Sequence, residues 1–397
     1  MPAKTVVGLD IGSTRIRGVE ASVSGGQPNI IGIASIAIPE GAVDRGEVKD
    51  VSAFTSALKQ LWKQGKFTAK DVRIVVNTED NIAKLTTLTD EIDFAKTLPF
   101  KLKNKEAFNV DEYYLSYHTI RKYETSEKDT SRVEGVRNVP KRDILLAGAK
   151  RKMVDLLVTS FNGADLRPLS IDIGPLAMIR AEADLNKDSD DDAIDIHLNV
   201  GGDMTTVVIS HHLQPVYIRI IDIGGNMITD SISEQLKIDY AYAERLKLET
   251  LGMNPSLISK KSYAGGIFEE DESEAKEDEV KYTRDQLDAF DVVNDELSAI
   301  ISNINRTIIY FIEQNPLGLG RNIQTIYVSG GTAAFDQIRL RLTHEIGAKQ
   351  TILSNPLTKL EERGMVSKSI ATQFVDRQHE YTLAVGAILG DGGKNNG

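Results

Sequence analysis

Residues 5–20 read TVVGLDIGSTRIRGVE. Val6, Val7, Leu9 and Ile11 form a near-continuous apolar run, the mark of a strand buried on both faces. Asp10 interrupts that run at its end. A tight turn, Gly12-Ser13-Thr14-Arg15, follows at once, and a second strand-like run extends from Ile16 to Val23. Strand, carboxylate, glycine turn and strand place backbone N–H groups, two hydroxyls and a carboxylate around one small volume. Glycine lets phosphate oxygens approach backbone donors closely. A carboxylate beside them suits a hydrated Mg²⁺, which prefers oxygen ligands and keeps several waters. Taken alone, DIGST reads better as a plain hairpin turn on a sheet edge.

The pattern returns. Residues 195–210 read DIHLNVGGDMTTVVIS. Ile196, Leu198 and Val200 make the strand and Asn199 is its polar residue. Gly201 and Gly202 make the turn, Thr205 and Thr206 supply hydroxyls, and a second apolar strand follows. The third strands match as well, NIIGIASIAIP over 29–39 and QPVYIRIIDI over 214–223. Two copies of a three-strand unit, about one domain apart, predict a duplicated fold whose halves face each other. Two such turns, opposed, would grip a nucleoside triphosphate from both sides.

With the later Gly330-Gly331 pair, these motifs resemble the actin/sugar kinase/Hsp70 superfamily. Within it the chain is most similar to the PilM family of type IV pilus assembly, a relative of the division protein FtsA. Residues 145–181, LLAGAKRKMVDLLVTSFNGADLRPLSIDIGPLAMIRA, carry that likeness most strongly. The resemblance implies an α/β, actin-like (ribonuclease H-like duplicated) two-lobed fold with an inserted SHS2-type subdomain 1C. Expected boundaries are 1–77 and 163–190 for subdomain 1A, 78–162 for 1C, 194–237 and 319–397 for 2A, and 238–318 for 2B.

Bulk properties fit this class. A 397-residue chain is long enough for two or three domains. Cysteine is absent, which excludes disulfides and thiolate metal sites. The formal net charge of −11 argues against non-specific nucleic-acid binding and against a broad grip on anionic membrane. The start of the chain lacks a signal-peptide layout, and no apolar run reaches transmembrane length. A cytoplasmic protein is expected, recruited to the inner face of the membrane through a partner.

Working along the chain, Asp50 is placed to cap a helix carrying Val51, Phe54, Leu58, Leu61 and Trp62, with Gly65 as its stop. A strand follows over 72–77. Residues 78–162 are polar and irregular until a strand at 144–149 and a helix with Met153, Leu156, Leu157 and Phe161. Residues 125–139 read as a loop or hairpin tip. Residues 185–195 read as an acidic linker and 268–280 as a charged loop. Gly224 and Gly225 open a helix, and another follows over 240–251. A long amphipathic helix fills 284–315, ended by Pro316. A strand at 323–328 runs into Gly330-Gly331 and a helix from Phe335. A small-residue helix over 381–390 suits close packing at a hinge, and the tail from Asp391 reads as frayed.

The resemblance assigns roles to single residues. Gly12, Ser13 and Thr14 look like the first phosphate loop, and Gly201, Gly202, Thr205 and Thr206 like the second. Glu244 and Lys247 resemble the Glu-x-x-Lys pair beside ribose and adenine, Gly330, Gly331 and Thr332 the adenosine motif, and Gly224 and Gly225 a turn lining the cleft. Asp10 resembles the aspartate that holds Mg²⁺. Asn199 stands where the superfamily has a second aspartate, so metal grip should weaken, since affinity follows ligand charge. Residue by residue there are plainer readings: Glu244 and Lys247, three apart, could be a surface helix pair. No water-activating residue is evident; Ser170 and Asp172 match that position only loosely. The expectation is ATP or ADP with Mg²⁺, little or no turnover, and a groove of the insertion and first subdomain taking the cytoplasmic N-terminal peptide of a PilN-like inner-membrane protein. Leu98, Pro99, Phe100 and the segment 113–117 are its candidate contacts. The competing readings are an FtsA-like division or filament protein and a small-molecule kinase of the same superfamily. P-loop, dinucleotide and zinc motifs are absent in fitting contexts.

Overall fold

The computed structural model describes residues 4–78, 80–106, 108–128, 136–183, 193–253, 282–314 and 322–390. The expected acidic linker, the charged loop at 268–280, Pro316, the centre of the 125–139 tip and the tail fall wholly or mainly outside those residues.

The first apolar run is β1 (Lys4–Ile11), and β2 (Arg15–Ser24) and β3 (Gln27–Ala37) meander from it. A short hairpin, β4 (Val43–Asp44) and β5 (Glu47–Val48), leads to α1 (Val51–Gly65) and β6 (Asp71–Val76). Asp50 caps α1 as expected, accepting from Ala53 N–H at 2.9 Å. The left-handed stop of α1 is Lys66, at φ 52°, and not Gly65. A Cβ on Gly65 would lie 2.8 Å from both Ala34 and Phe67, so its missing side chain serves packing.

Residues read from sequence as irregular form a compact unit. Strands β7 (Ile82–Thr89), β8 (Tyr113–Lys128) and β9 (Val136–Lys150) make an antiparallel sheet in the order β7-β9-β8, with α2 (Phe94–Lys105) against it. Leu88, Phe94, Leu98, Leu102, Ile144 and Leu146 form its core. Pattern analysis missed α2 because Pro99 and four lysines break its apolar stripe.

The chain then continues through α3 (Arg151–Gly163), β10 (Arg167–Ile173) and α4 (Gly174–Glu182). The second lobe holds β11 (Ala193–Val200), β12 (Thr205–His211), β13 (Gln214–Ile221), α5 (Gly225–Leu236), α6 (Tyr240–Glu249), α7 (Arg284–Gln314), β14 (Asn322–Ser329), α8 (Asp336–Ile346) and β15 (Gln350–Leu353). Three helices follow: α9 (Pro356–Glu362), α10 (Lys368–Gln373) and α11 (Thr382–Leu389).

The duplication is explicit in the sheets. One runs β10-β6-β1-β2-β3 and the other β15-β14-β11-β12-β13. In each the first three strands are parallel and the last two antiparallel to their neighbours. The register matches too. Asp10 pairs across from Arg17, and Asn199 from Thr206.

Packing does not follow chain order. Helix α3 lies with α1 in the first-lobe core, where Phe54 and Phe161 meet edge to face. Helices α9 to α11, late in the chain, pack against β1, β2 and β3 of the first lobe. Helices α4 and α11 sit between the lobes, sharing a cluster with Val75 of β6 and Val208 of β12.

Candidate functional site

A cleft of about 720 Å³ opens between the lobes. Both predicted turns line it, and they close the same way: Gly12 N–H donates to Arg15 O at 3.1 Å, and Gly201 N–H to Met204 O at 2.9 Å. The turns face each other. A Cβ on Gly202 would fall 2.9 Å from Ser13 Oγ. Lining the cleft are Asp10, Gly12, Ser13, Thr14, Asn199, Gly201, Gly202, Gly225, Glu244, Lys247, Gly330, Gly331 and Thr332. They come from distant parts of the chain and from both lobes.

Three residues singled out in sequence do not line it. Thr205 Oγ1 donates to Ile223 O at 2.7 Å, and Thr206 Oγ1 exchanges hydrogen bonds with Asn77 of the first lobe at 3.0 and 3.4 Å. They brace the second turn from below. Gly224 packs against the Gly202 carbonyl, with no room for a Cβ. The N–H groups at the start of α5 are spent inside the protein. Gly225 donates to Gly201 O and Asn226 to Gly202 O, at 2.9 and 2.7 Å. Thr332 Oγ1 also donates to Gly201 O, at 3.0 Å. The α5 terminus and the Gly330 turn therefore fix the second loop in place.

Gly330 is the strained point of this arrangement. Its φ is +94°, and a Cβ would stand 2.4 Å from Val200 O. Only glycine permits that conformation and that approach. Its N–H donates to His379 O at 3.1 Å.

Glu244 and Lys247 are not a surface pair. Lys247 is buried, and its Nζ donates to Glu244 Oε2 at 2.6 Å, Thr229 Oγ1 at 2.8 Å and Gly225 O at 3.1 Å. Burial lowers its pKa, against the pull of Glu244. The ammonium pins α6 to the start of α5 and holds the Glu244 carboxylate at the cleft wall.

Sequence reasoning missed a charged floor. Arg17 gives Nε and Nη2 to Glu380 Oε2 at 3.1 and 2.8 Å and brings Nη1 to 3.9 Å from Asp10. Arg377 grips the same carboxylate at 2.7 and 3.1 Å. Burial alone would raise Glu380, but hydrogen bonds and charge from Arg377 and Arg17 bring it down to about 2. Burial raises Asp10 to about 6 in spite of Arg17. Burial lowers His379 to about 4. Arg15 is lowered by burial and by the like charges of Arg17 and Arg377. Of these, Arg17 had a signal in the sequence, because the hairpin register around Gly12 places it opposite Asp10. Arg377 and Glu380 had none, being brought in by tertiary packing of α11.

Asp172 lies off the cleft, paired with Arg180. Asn199 is set by a hydrogen-bond chain. Ser329 Oγ donates its one proton to Leu198 O at 2.9 Å and so accepts from Asn199 Nδ2 at 3.1 Å. Oδ1 is the atom left to meet a ligand. Asn199→Asp would oppose two acceptors in a buried place. It is expected to lower stability by roughly 1–3 kcal/mol at pH 8, with the loss shrinking at pH 4 as the new carboxyl protonates; urea unfolding at the two pH values measures this. Among the described residues no three His, Cys, Asp or Glu side chains cluster as a metal site.

Comparisons with known proteins bear on the family and the fold. The family model for the type IV pilus assembly protein PilM matches residues 8–254, and that for the cell division protein FtsA matches 196–373. The cell division protein FtsA of Streptococcus pneumoniae serotype 2 (strain D39 / NCTC 7466) is 23% identical over 284 residues, 67% of this chain. The match spans only 60% of that relative's own length. Among solved structures, a PilM-PilN type IV pilus biogenesis complex superposes with a TM-score of 0.71 at 17% identity, covering 97% of both chains. The ethanolamine utilization protein EutJ from Carboxydothermus hydrogenoformans follows at 0.51 and 12% identity, covering 98% of this chain and 90% of its own. These likenesses give the fold, actin-like and two-lobed.

Proposed function

Because the chain belongs to the PilM family of type IV pilus assembly proteins, we propose that it binds an adenine nucleotide between its lobes and uses it as a clamp. The observation that carries this reading is the opposition of Ser13 to Gly202 across the cleft. Gly12, Ser13 and Thr14 meet the phosphate tail from one side and Gly201 and Gly202 from the other. Arg17 meets its charge from the floor. Glu244 and Lys247 border the ribose, and the Gly330-Gly331 turn the nucleoside. Leu248, Leu251 and Phe335 give the cleft an apolar stretch suited to a base.

Asp10 and Asn199 are the protein groups for a divalent ion. Two oxygens, one of them neutral and the other beside Arg17, fit a Mg²⁺ held mainly by phosphate oxygens and water. When bound, the ion would neutralise tail charge. The carboxyl in the connecting segment, Asp172, is engaged by Arg180 rather than facing the cleft, which supports binding with little or no turnover. Bound nucleotide then biases the lobe angle and with it the partner surface. Calorimetry with ATP and Mg²⁺ tests the clamp: uptake is expected for the unsubstituted chain and at least a tenfold loss for Gly202→Val. No uptake by the folded chain ends the reading, and steady turnover at ordinary enzyme rates ends its second half.

The partner we propose is the cytoplasmic N-terminal peptide of a PilN-like protein, received by the insertion together with the first lobe. The chain would thereby be cytoplasmic and reach the inner membrane through that partner. No helix among the described residues is long and apolar enough to cross a membrane. Of the candidate contacts, Leu98 and Tyr113 are insertion core, whereas Phe100 is 70% exposed and Tyr114 is exposed. An FtsA-like role stays in view because the FtsA model covers most of the second lobe; co-sedimentation with liposomes lacking any partner protein would favour it.

A further inference from the structure

Among the described residues the chain leaves the first lobe at the end of α4 and returns to it at α9, and one buried carboxylate joins the start of the first passage to the second. The first passage leaves α4 at Glu182, and the second runs from Leu353 of β15 to Pro356 of α9. Glu182 is 2% exposed. Its Oε1 accepts from Ser354 Oγ in the second passage. Its Oε2 and its main-chain carbonyl accept from Lys359 Nζ at 2.6 and 3.1 Å. That ammonium lies 4.6 Å over the ring of Tyr327 on β14, in the second lobe. A carboxylate withdrawn from water persists only with partners of this kind.

The contacts continue into the cleft. Ser354 Oγ is 2.5 Å from Thr382 Oγ1 at the start of α11. Ser354 has one proton and gives it to Glu182, so Thr382 is the donor between them. Thr382 Oγ1 also lies 3.1 Å from His379 O, which accepts the Gly330 N–H at 3.1 Å. Thr382 therefore holds one proton for two acceptors. How firmly Glu182 draws the Ser354 hydroxyl bears on which of them it serves. The next residue, Glu380, carries Arg17. Gly330 has no rotational slack at φ +94° against Val200, so a shift of the His379 carbonyl must move the whole turn.

We propose that Glu182 is the pin of the lobe pivot, a positioning residue that ties lobe placement to the Gly330 side of the cleft through Ser354, Thr382 and the His379 carbonyl. Only the ligand arm of its test rests on the cleft being a nucleotide site. The sequence has no cysteine, so Gln60→Cys on α1 and Leu340→Cys on α8, both exposed, can carry spin labels that report lobe separation. Thr382→Val keeps the Glu182–Lys359 pair but cuts the link to His379. It is expected to at least double the width of the distance distribution in the empty protein and to remove more than half of the shift caused by ATP with Mg²⁺. Thr382→Ser should restore both, and Glu182→Gln and Ser354→Ala should reproduce the loss. A merely structural role would lower the melting temperature and leave the width alone. Unchanged width in variants that fold, or an intact ATP-induced shift, overturns the proposal. If the unsubstituted chain takes up no ATP, the nucleotide reading fails, and the width in the empty protein still decides the pivot.

Discussion

Asp10→Asn is expected to make the empty protein more stable at pH 8 by about 3 kcal/mol while weakening its grip on nucleotide at least tenfold when Mg²⁺ is present. Asp10 has its carboxyl raised from 3.8 to about 6, chiefly by burial. At about 1.4 kcal/mol per pH unit between the two values, the ionised form costs about 3 kcal/mol in the folded state. The folded protein thus holds a proton more tightly than the unfolded chain. Asp10 costs nothing below pH 3.8, stability falls as pH rises toward 6, and the full cost stands above that. Asparagine keeps the shape and removes the charge, and Arg17 retains Glu380 as its partner. Urea unfolding of both proteins should show a gap near 3 kcal/mol at pH 8 that closes toward pH 4. An unchanged or reversed gap at pH 8 would sink the account. Calorimetry with and without Mg²⁺ reads the other half: affinity lost equally in both conditions would mean that the carboxylate serves no ion.

Gly386→Val is expected to lower stability by about 3–5 kcal/mol and to abolish nucleotide uptake in whatever still folds. Helix α11 is clamped on both sides through glycines. A Cβ on Gly386 would stand 2.0 Å from Ala177 O of α4, and one on Gly8 of β1 would stand 2.3 Å from Ala384 O of α11. Both obstacles are main chain, so no rotamer change relieves them, and α11 has no direction in which to retreat. Moving it would also carry away the residues just before it, His379 and Glu380, which hold the Gly330 turn and Arg17. Unfolding can be followed by the fluorescence of Trp62, the only tryptophan, partly buried with Nε1 bonded to Ala69 O. A loss below 1 kcal/mol would contradict the close approach.

How much of this could be read from residues alone depends on the range of the interaction. The two β-turn-β units are local, and their repetition made the duplicated sheet and the paired turns legible, with the part of the cleft lining that those turns supply. The helices α1 and α7 carried apolar stripes at helical spacing and were readable for the same reason. The insertion was read as a subdomain but not in its elements, because the apolar residues of α2 are divided by Pro99 and lysines and its sheet is completed only by pairing β9 with two strands. Thr205, Thr206 and Gly224, assigned by analogy, lie outside the cleft lining. Their hydrogen bonds and contacts run to Ile223, Asn77 and Gly202, and motif spacing says nothing of partners that remote. Of the charged floor only Arg17, set opposite Asp10 by the hairpin register, had a local signal; its partner Glu380 lies 363 positions away.

The return of α9, α10 and α11 to the first lobe also governs the order of biogenesis. Val6, Val19, Ala21 and Ile30 on the first sheet are covered by Leu357, Leu360, Ala384, Val385 and Ile388. A ribosome makes those partners after the whole second lobe, so the nascent first lobe emerges with one sheet face bare, while the second lobe, contiguous from Ala193 to Leu353, can complete its core during synthesis. Truncation inside α11 should therefore cripple the half of the molecule translated first, and a chaperone shielding nascent chains would find its target on the first lobe.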